Sequence, residues 1–279
     1  MGAIPTLTLN DGLTLPAVGF GAYKLNGEAG VAAVVSAIRN GYRLLDSAIN
    51  YDNEGAVGQA VRQSGVARAE LRVASKLPGR RHAYADAIAT VEESLSRAGL
   101  DYFDLYLSHW PNPRQGLYVE AWGALIERRK RGLTRSIGVS NFLPEQLDRL
   151  IAETGVTPSV NRIELHPYFP QEEQRRGDRE RGVLTQAWSP LLRANALFRE
   201  PAIVRVAARL GRTVAQVVLR WHVQLGVEPL PKAASAERQV ENLALFDFAL
   251  TAEDMAAIAT LARPNGRLRD QDPARYEEF

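Results

Sequence analysis

LLDSAINY (residues 44–51) decides the fold, because an apolar run ends there in an acid where a buried strand would stay apolar. A phenol, Tyr51, follows Asp46 by five positions. Two later runs have the same form: RVASK (72–76) ends in Lys76, and FDLYLSH (103–109) ends in His109. The carboxyl ends of parallel barrel strands lie on one rim, where such folds place their chemistry. The pattern therefore predicts that these ionisable side chains share a functional edge.

Strand and helix patterns alternate from Val18 to Lys232 without an intervening linker. About eight strands are predicted, which favours a closed (β/α)₈ barrel, an α/β fold, over a doubly wound sheet. We expect a single domain over residues 1–279. The Gly-x-Gly-x-x-Gly opening of a dinucleotide-binding Rossmann unit is absent, because Lys24 stands where the third glycine would be. Before the barrel, residues 6–16 alternate around Asp-Gly and predict a β-hairpin.

The composition of the 279-residue chain narrows the possible partners. Hydrophobic residues make up 46% and charged residues 24%, as in ordinary globular proteins that bury a sizeable core. A net charge of +2 gives no argument for nucleic acid. The chain has no cysteine, which excludes disulfides, zinc–thiolate sites and thiol nucleophiles. Residues 1–10 are too short and polar for a signal peptide, and no apolar run approaches the ~20 residues that span a bilayer. We expect a soluble cytoplasmic protein without nucleic-acid or membrane partners.

One segment does not fit the pattern of a barrel helix. QEEQRRGDRERG (residues 171–182) contains no apolar residue, although a helix on a barrel normally buries an apolar stripe. Since nothing in it offers an apolar anchor, we expect a poorly packed, solvated helix or a mobile loop. A sequence aberration and a docking surface are the other interpretations.

Several short motifs resemble those of the aldo-keto reductases. They are DSAINY (46–51), SKL (75–77), LSHWP (107–111), GVSN (138–141), IELHP (163–167) and PK (231–232). The match runs from about Leu7 to Leu261 and is close to the bacterial branch that reduces small dicarbonyls and keto-sugar acids, such as 2,5-diketogluconate reductases. The resemblance implies a (β/α)₈ barrel whose bottom is closed by the N-terminal hairpin. It also implies NADPH bound across the upper rim, a small carbonyl substrate and a monomer without a metal.

Carbonyl reduction needs a hydride, which NADPH supplies, and a proton from a nearby acid. The resemblance assigns the proton to Tyr51. A phenol has a pKa of ~10, so we expect the Lys76 ammonium to lower the pKa of Tyr51 and the Asp46 carboxylate to keep Lys76 charged. His109 can donate to the substrate oxygen or relay a proton. Taken singly, each residue has a structural explanation, but together on consecutive strand ends they favour catalysis.

The resemblance also implies a set of cofactor-binding positions. Ser140, Asn141 and Arg162 match carboxamide contacts, and Trp188 matches the aromatic beneath the nicotinamide. The remaining positions follow the pyrophosphate and the adenosine: Ser189, Leu191, Lys232, Arg238, Glu241 and Asn242.

Two positions depart from the family pattern. Arg162 replaces a glutamine, and arginine donates hydrogen bonds but accepts none, so it either contacts the carboxamide oxygen or pairs with Glu164 or another acid. Ala233 replaces a serine and removes one charge-assisted bond to the 2′-phosphate, typically worth roughly 1.5–3 kcal/mol. We still expect NADPH to be preferred over NADH, by less than in the usual pattern.

Substrate contacts are expected from Tyr23, Trp110 and the C-terminal tail, about residues 263–279. The tail is either solvated or folded over the rim, where Arg267, Arg269 and Arg275 would favour anionic substrates. An alternative function is a non-catalytic NADPH-binding barrel with a regulatory or structural role. A phosphate-sugar isomerase or lyase is disfavoured, because the chain lacks a glycine-rich phosphate loop after strands 7 and 8.

Overall fold

The structure, a computed structural model, describes residues 3–194, 196–264 and 266–279. Met1, Gly2, Asn195 and Asn265 lie outside the described residues, including the parts of the expected domain, N-terminal segment and C-terminal tail that fall on them. That residues 1–279 form one domain stays a prediction.

The predicted hairpin pairs β1 (Thr6–Thr8) with β2 (Thr14–Pro16) in antiparallel register, with Leu7 opposite Leu15. Leu15 is buried in an apolar cluster with Leu44, Leu105 and Val160 from barrel strands. The side chain of Ser136 donates to Asp11 at the hairpin turn, over 2.6 Å. The hairpin therefore closes one end of the barrel, as the family resemblance implies.

Eight parallel strands follow, and each pairs with its neighbours in chain order. This arrangement is the parallel α/β barrel that the sequence predicts. The strands are β3 (Phe20–Gly21), β4 (Leu44–Asp46), β5 (Arg72–Leu77), β6 (Phe103–Ser108), β7 (Thr134–Ser140), β8 (Val160–Glu164), β9 (Leu184–Trp188) and β10 (Glu228–Pro229).

Two backbone hydrogen bonds close the barrel between its first and last strands. The amide of Gly19 donates to the carbonyl of Pro229, and that of Gly21 donates to Pro231, both over 3.1 Å. A Cβ atom on Gly21 would lie 2.9 Å from the backbone oxygen of Leu230. Glycine is required there because the two backbones approach too closely for any side chain.

Helices surround the sheet, and two apolar clusters fill the space between them. Gly99 follows the helix Tyr84–Ala98 and ends it in the left-handed conformation, with φ of 61°. The helices are α1 (Gly27–Arg39), α2 (Glu54–Gln63), α3 (Tyr84–Ala98), α4 (Tyr118–Lys130), α5 (Pro144–Thr154), α6 (Glu172–Glu180), α7 (Pro201–Leu210), α8 (Val214–Gln224), α9 (Ala236–Leu243) and α10 (Ala252–Ala259).

Segment 171–182 is packed more firmly than its sequence predicts. It forms α6, and the carboxylate of Asp178 on its inner face is fully buried. That carboxylate accepts hydrogen bonds from Asn161 and Gln174 over 2.9 Å and from Thr185 over 2.8 Å. The helix alternative of the prediction is confirmed, but the poor packing was wrong, because the prediction considered only apolar anchors. Here a buried acid that accepts from Asn161 on β8 and Thr185 on β9 holds the helix against the barrel.

In the described parts of the chain, no helix is both long and apolar enough to cross a bilayer.

Candidate active site

The carboxyl ends of β4, β5 and β6 bring the four predicted catalytic side chains together. Asp46 is the last residue of β4, Lys76 is near the end of β5, and His109 directly follows β6. Tyr51 lies in a short 3₁₀ turn, Ile49–Tyr51, immediately after β4. All four therefore approach one rim of the barrel from neighbouring strands.

The Lys76 ammonium is at the centre of this group. Its Nζ donates to Oδ1 of Asp46 over 2.8 Å and to the backbone oxygen of Ser47 over 2.6 Å. The third donor reaches the hydroxyl of Tyr51 over 3.3 Å. The rings of Tyr51 and His109 meet edge to face, with centroids 6.1 Å apart. The amine, the phenol and the imidazole are thus held in mutual contact.

The charges at the site differ from the expected pattern. Burial lowers the pKa of Lys76 to about 8, although Asp46 acts in the opposite direction. Burial, and then the negative charge of Asp46, raise the pKa of the half-buried Tyr51 above its usual value. The pKa of Tyr51 is thus shifted opposite to the expected lowering, because burial and the carboxylates of Asp46 and Glu278 outweigh the opposing charge of Arg162.

Arg162 does not pair with Glu164, one of its two expected acidic partners. Its side chain is buried inside the barrel, where Nη1 contacts Oδ1 of Asp46, the same oxygen that Lys76 binds. Its Nε and Nη2 donate to Oε1 of Gln186 over 2.9 and 2.7 Å. All three guanidinium nitrogens are engaged within the barrel, which favours the pairing with an acid over the expected carboxamide contact.

Asp46 is consequently the partner of two cations. Burial opposes its ionisation, but the charges of Arg162 and Lys76 outweigh burial and hold the pKa of Asp46 below its usual range. Sequence reasoning missed the next two members of this buried network. Gln186 donates to Oε2 of Glu228 over 2.6 Å, and burial raises the pKa of Glu228 to about 8. An acid within the otherwise apolar last strand was the available signal.

Three of the predicted nicotinamide-binding residues lie beside the catalytic group. The indole nitrogen of Trp188 donates to Oδ1 of Asn141 over 2.8 Å, and Nδ2 of Asn141 donates to the backbone oxygen of His109 over 3.0 Å. Ser140 donates to the backbone oxygen of Arg162 over 2.8 Å. These contacts fix the polar side chains and the indole at the rim next to His109.

The remaining predicted cofactor residues lie on the loop after β9 and near α9. Ser189 adopts a left-handed backbone conformation with φ of 52°, and Leu191 is half-buried. Lys232 and Arg238 are exposed, and within the described ranges neither forms a salt bridge. Glu241 accepts from the hydroxyl of Thr213 over 2.6 Å, while Asn242 is buried. The two basic side chains are thus available to an anion.

The C-terminal tail lies against the active site. The ring of Tyr276 packs 4.5 Å from that of Trp110, and the ring of Tyr23 lies 5.0 Å from that of Tyr51. The tail also places the carboxylate of Glu278 in the site, with Oε1 2.7 Å from Nδ1 of His109. Glu278 was not predicted as a site residue, and it has no local sequence signal.

Two of the three tail arginines bind groups within the tail itself. Arg267 donates to the backbone oxygen of Gln271 over 3.0 Å, and Arg275 pairs with Asp270 over 2.6 Å. Arg269 is exposed. Of the two expectations for the tail, folding over the rim is correct, but the charge it brings is negative.

Among the described residues, no group of three or more His, Cys, Asp or Glu side chains is arranged to hold a metal ion.

Comparison with known proteins identifies similar proteins along the whole chain. The model of the aldo/keto reductase family matches residues 17–263. A 2,5-diketo-D-gluconic acid reductase B from Corynebacterium sp. (strain SHS752001) is 54% identical over 279 residues, covering 100% of both chains. A morphine 6-dehydrogenase from Pseudomonas putida is 41% identical, covering 100% of this chain and 99% of the relative. A crystal structure of a Gox0644 mutant in complex with NADPH has a TM-score of 0.92 at 38% identity, covering 98% of both chains.

Proposed function

The chain belongs to the aldo/keto reductase family, and on that premise we propose that it reduces aldehydes and ketones to alcohols with NADPH. Small dicarbonyls and keto-sugar acids are the substrate classes. The observation that carries the proposal is the contact of the Lys76 ammonium with both the Asp46 carboxylate and the Tyr51 hydroxyl.

The residues at the rim fit a nicotinamide dinucleotide phosphate. Lys232 and Arg238, exposed and without a salt bridge in the described part of the chain, suit the 2′-phosphate dianion. Ser140, Asn141 and Trp188 would hold the nicotinamide end, with Ser189 and Leu191 along the pyrophosphate and Glu241 and Asn242 at the adenosine. When bound, the cofactor supplies the hydride that reduces the carbonyl carbon.

Tyr51 is proposed as the general acid. The raised pKa of its phenol means that it retains its proton at neutral pH until a stronger base, the alkoxide, develops beside it. The Lys76 ammonium, 3.3 Å away, then stabilises the phenolate that proton transfer leaves behind. Lys76 therefore acts on the charge that forms during the reaction.

Asp46 and His109 complete the proposed mechanism. The Asp46 carboxylate orients the ammonium towards the phenol and favours its charged form. His109, whose ring faces Tyr51, is placed to donate to the carbonyl oxygen and polarise it. Arg162, held on Asp46, is proposed to act on the catalytic group and not on the carboxamide.

A single substitution tests the proposed function. Tyr51→Phe removes the proton donor but preserves the ring, so we expect NADPH oxidation with methylglyoxal to fall by about 10³-fold or more. Binding of NADPH, followed by fluorescence titration, should stay unchanged and shows that the variant is folded. Turnover by Tyr51→Phe at the wild-type rate would overturn the proposed role of Tyr51. A wild-type protein that binds NADPH but reduces no aldehyde or ketone would instead be the non-catalytic barrel.

The cofactor preference is tested by titrating NADPH and NADH side by side. Two cations facing one phosphate dianion should favour NADPH, although Ala233 offers no hydroxyl there. Ala233→Ser should increase that preference.

We further propose a cytoplasmic monomer, a single domain and no nucleic-acid partner. A net charge of +2 supports the last point, and the need for intracellular NADPH supports the location. Light scattering would test the monomer, and a single cooperative calorimetric transition would test the single domain.

A further inference from the structure

The last residues of the chain are fixed in place by a reciprocal backbone contact. The amide of Glu278 donates to Oδ1 of Asn112 over 3.0 Å, and Nδ2 of Asn112 donates to the backbone oxygen of Glu278 over 2.9 Å. Asn112 is fully buried, and Glu278 is only 6% exposed. The position of the Glu278 side chain is therefore set by the fold.

The Glu278 carboxylate is a built part of the site. Oε1 accepts from Nδ2 of Asn50 over 2.7 Å, and Oε2 accepts from the amide of Gly79 over 2.9 Å. Oε1 also lies 2.7 Å from Nδ1 of His109. Burial opposes ionisation, but His109 and these donors hold the pKa of Glu278 below its usual range. The carboxylate is thus negatively charged at neutral pH.

The Glu278 carboxylate opposes the positive charge that other residues place beside Tyr51. Asp46, Lys76 and Arg162 together carry one net positive charge on the barrel side of the phenol. Glu278 adds one negative charge on the His109 side. Two of the three tail arginines, Arg267 and Arg275, bind Gln271 and Asp270 within the tail. The exposed guanidinium of Arg80 donates to Oδ1 of Asn50 over 2.6 Å and adds a further positive charge nearby. Glu278 therefore weakens the attraction that these cations exert on an anionic substrate, and it does so at the point closest to His109.

We propose that Glu278 is a specificity-determining residue that turns carboxylate-bearing carbonyl compounds away from His109 and directs the site to uncharged aldehydes and ketones. The inference rests on the proposed reductase function and selects small uncharged dicarbonyls from its two substrate classes. The sign is opposite to the effect expected if the tail arginines faced the site. It is also opposite to the preference suggested by the acid in the name of the 54% identical relative.

Two aldehydes that differ in one charge and one methyl group provide the test: 4-carboxybenzaldehyde and its methyl ester. For the wild type, kcat/KM should be higher for the ester. In Glu278→Gln the ester-to-acid ratio should fall about tenfold, which corresponds to about 1.4 kcal/mol, mainly through a lower KM for the acid. Added salt should reduce the wild-type ratio as well, because it screens the repulsion.

Two further variants separate charge from structure. Glu277→Gln removes a neighbouring tail charge, whose Oε1 accepts from the amide of Arg114 over 2.7 Å, and should leave the ratio unchanged. Glu278→Asp retains the charge and should keep most of the wild-type ratio. Equal losses for both aldehydes in Glu278→Gln would show a structural role only and would overturn the proposal. Because the ratio compares two substrates on one variant, partial unfolding cancels.

Binding gives the same comparison without turnover. Affinities of the two product alcohols, 4-carboxybenzyl alcohol and its methyl ester, can be measured by tryptophan fluorescence in the presence of NADP⁺. Failure of the proposed reaction would appear as binding without turnover, whereas failure of the charge selection would appear as equal affinity changes for both alcohols.

Discussion

Asp46 at the end of β4 and Asp178 on α6 are both buried aspartates, but their pKa values are shifted in opposite directions. Asp46 faces two cations, Lys76 and Arg162, which hold its pKa below the usual range against the effect of burial. Asp178 accepts hydrogen bonds only from neutral groups. Burial raises the pKa of Asp178 to about 6, and those bonds offset it only in part.

The difference distinguishes Asp46, which orients the catalytic ammonium, from Asp178, which anchors a helix. A carboxylate held by cations keeps its charge and can position an ammonium beside a phenol. A carboxylate held by amides and a hydroxyl fixes a helix, but its ionisation costs free energy. Burial alone therefore does not indicate which acid is functional; the charge of the partners does.

The largest expected effect separates the two acids by activity. Asp46→Asn removes the charge that orients the Lys76 ammonium towards Tyr51, so kcat/KM for an aldehyde should fall by about 10³-fold. The matched change Asp178→Asn should leave kcat/KM within about twofold. Steady-state NADPH oxidation measures both, with circular dichroism to confirm folding. Similar losses in the two variants would break the comparison.

The second effect separates them by stability. Asp178→Ala leaves the donors of Asn161, Gln174 and Thr185 without their acceptor, so the free energy of unfolding should fall by about 3 kcal/mol. Asp178→Asn keeps an acceptor oxygen and should cost less. Urea unfolding at pH 7 measures the difference. Equal stability of the alanine variant and the wild type would mean that Asp178 does not anchor α6.

The third effect is the pH dependence of that stability. Because the pKa of Asp178 is about 6 when folded and near 3.8 when unfolded, the folded state binds the proton more tightly. Stability from this group is fully present below pH 3.8 and is lost as the pH rises through 6. Between pH 4 and 7 the wild type should lose about 2 kcal/mol relative to Asp178→Asn. A constant difference between the two proteins would contradict the raised pKa.

The smallest effect concerns the second cation on Asp46. The charge of Arg162 opposes protonation of Lys76, whose pKa is about 8 mainly because it is buried. In Arg162→Gln the alkaline limb of the rate of reduction should therefore move to higher pH, while Arg162→Lys should preserve the limb near pH 8. Asp46, Tyr51 and Glu278 also face Lys76 and are unchanged in both variants. An unshifted pH profile together with weaker NADPH binding would instead indicate that Arg162 contacts the cofactor.

Local sequence patterns predicted the features of the site that depend on where strands end. Apolar runs that stop at Asp46, Lys76 and His109 predicted both the parallel barrel and the rim on which these residues meet. The contact of Asp46 with Arg162 could not be predicted in this way, because 116 positions separate the two residues and only the closed barrel brings them together.

Asp178 and Glu278 could not be predicted from the sequence, for related reasons. The polar segment 171–182 conceals one buried carboxylate among many solvated charges, and helical periodicity counts only apolar residues. Glu278 lies in a charged tail, and exposure is the default expectation for such a segment. Its burial depends on Asn112, Asn50 and Gly79, which belong to distant parts of the chain.

The bonds that join Gly19 and Gly21 to residues 229 and 231 have a consequence for biosynthesis. The two partners of each bond are separated by 210 positions (229 − 19 and 231 − 21), so a ribosome must translate that whole span before the ring can be completed. Until then the nascent chain carries an open parallel sheet with bare edges, the form most exposed to wrong pairing. Translation arrested before codon 228 would accordingly leave a polypeptide that depends on chaperones.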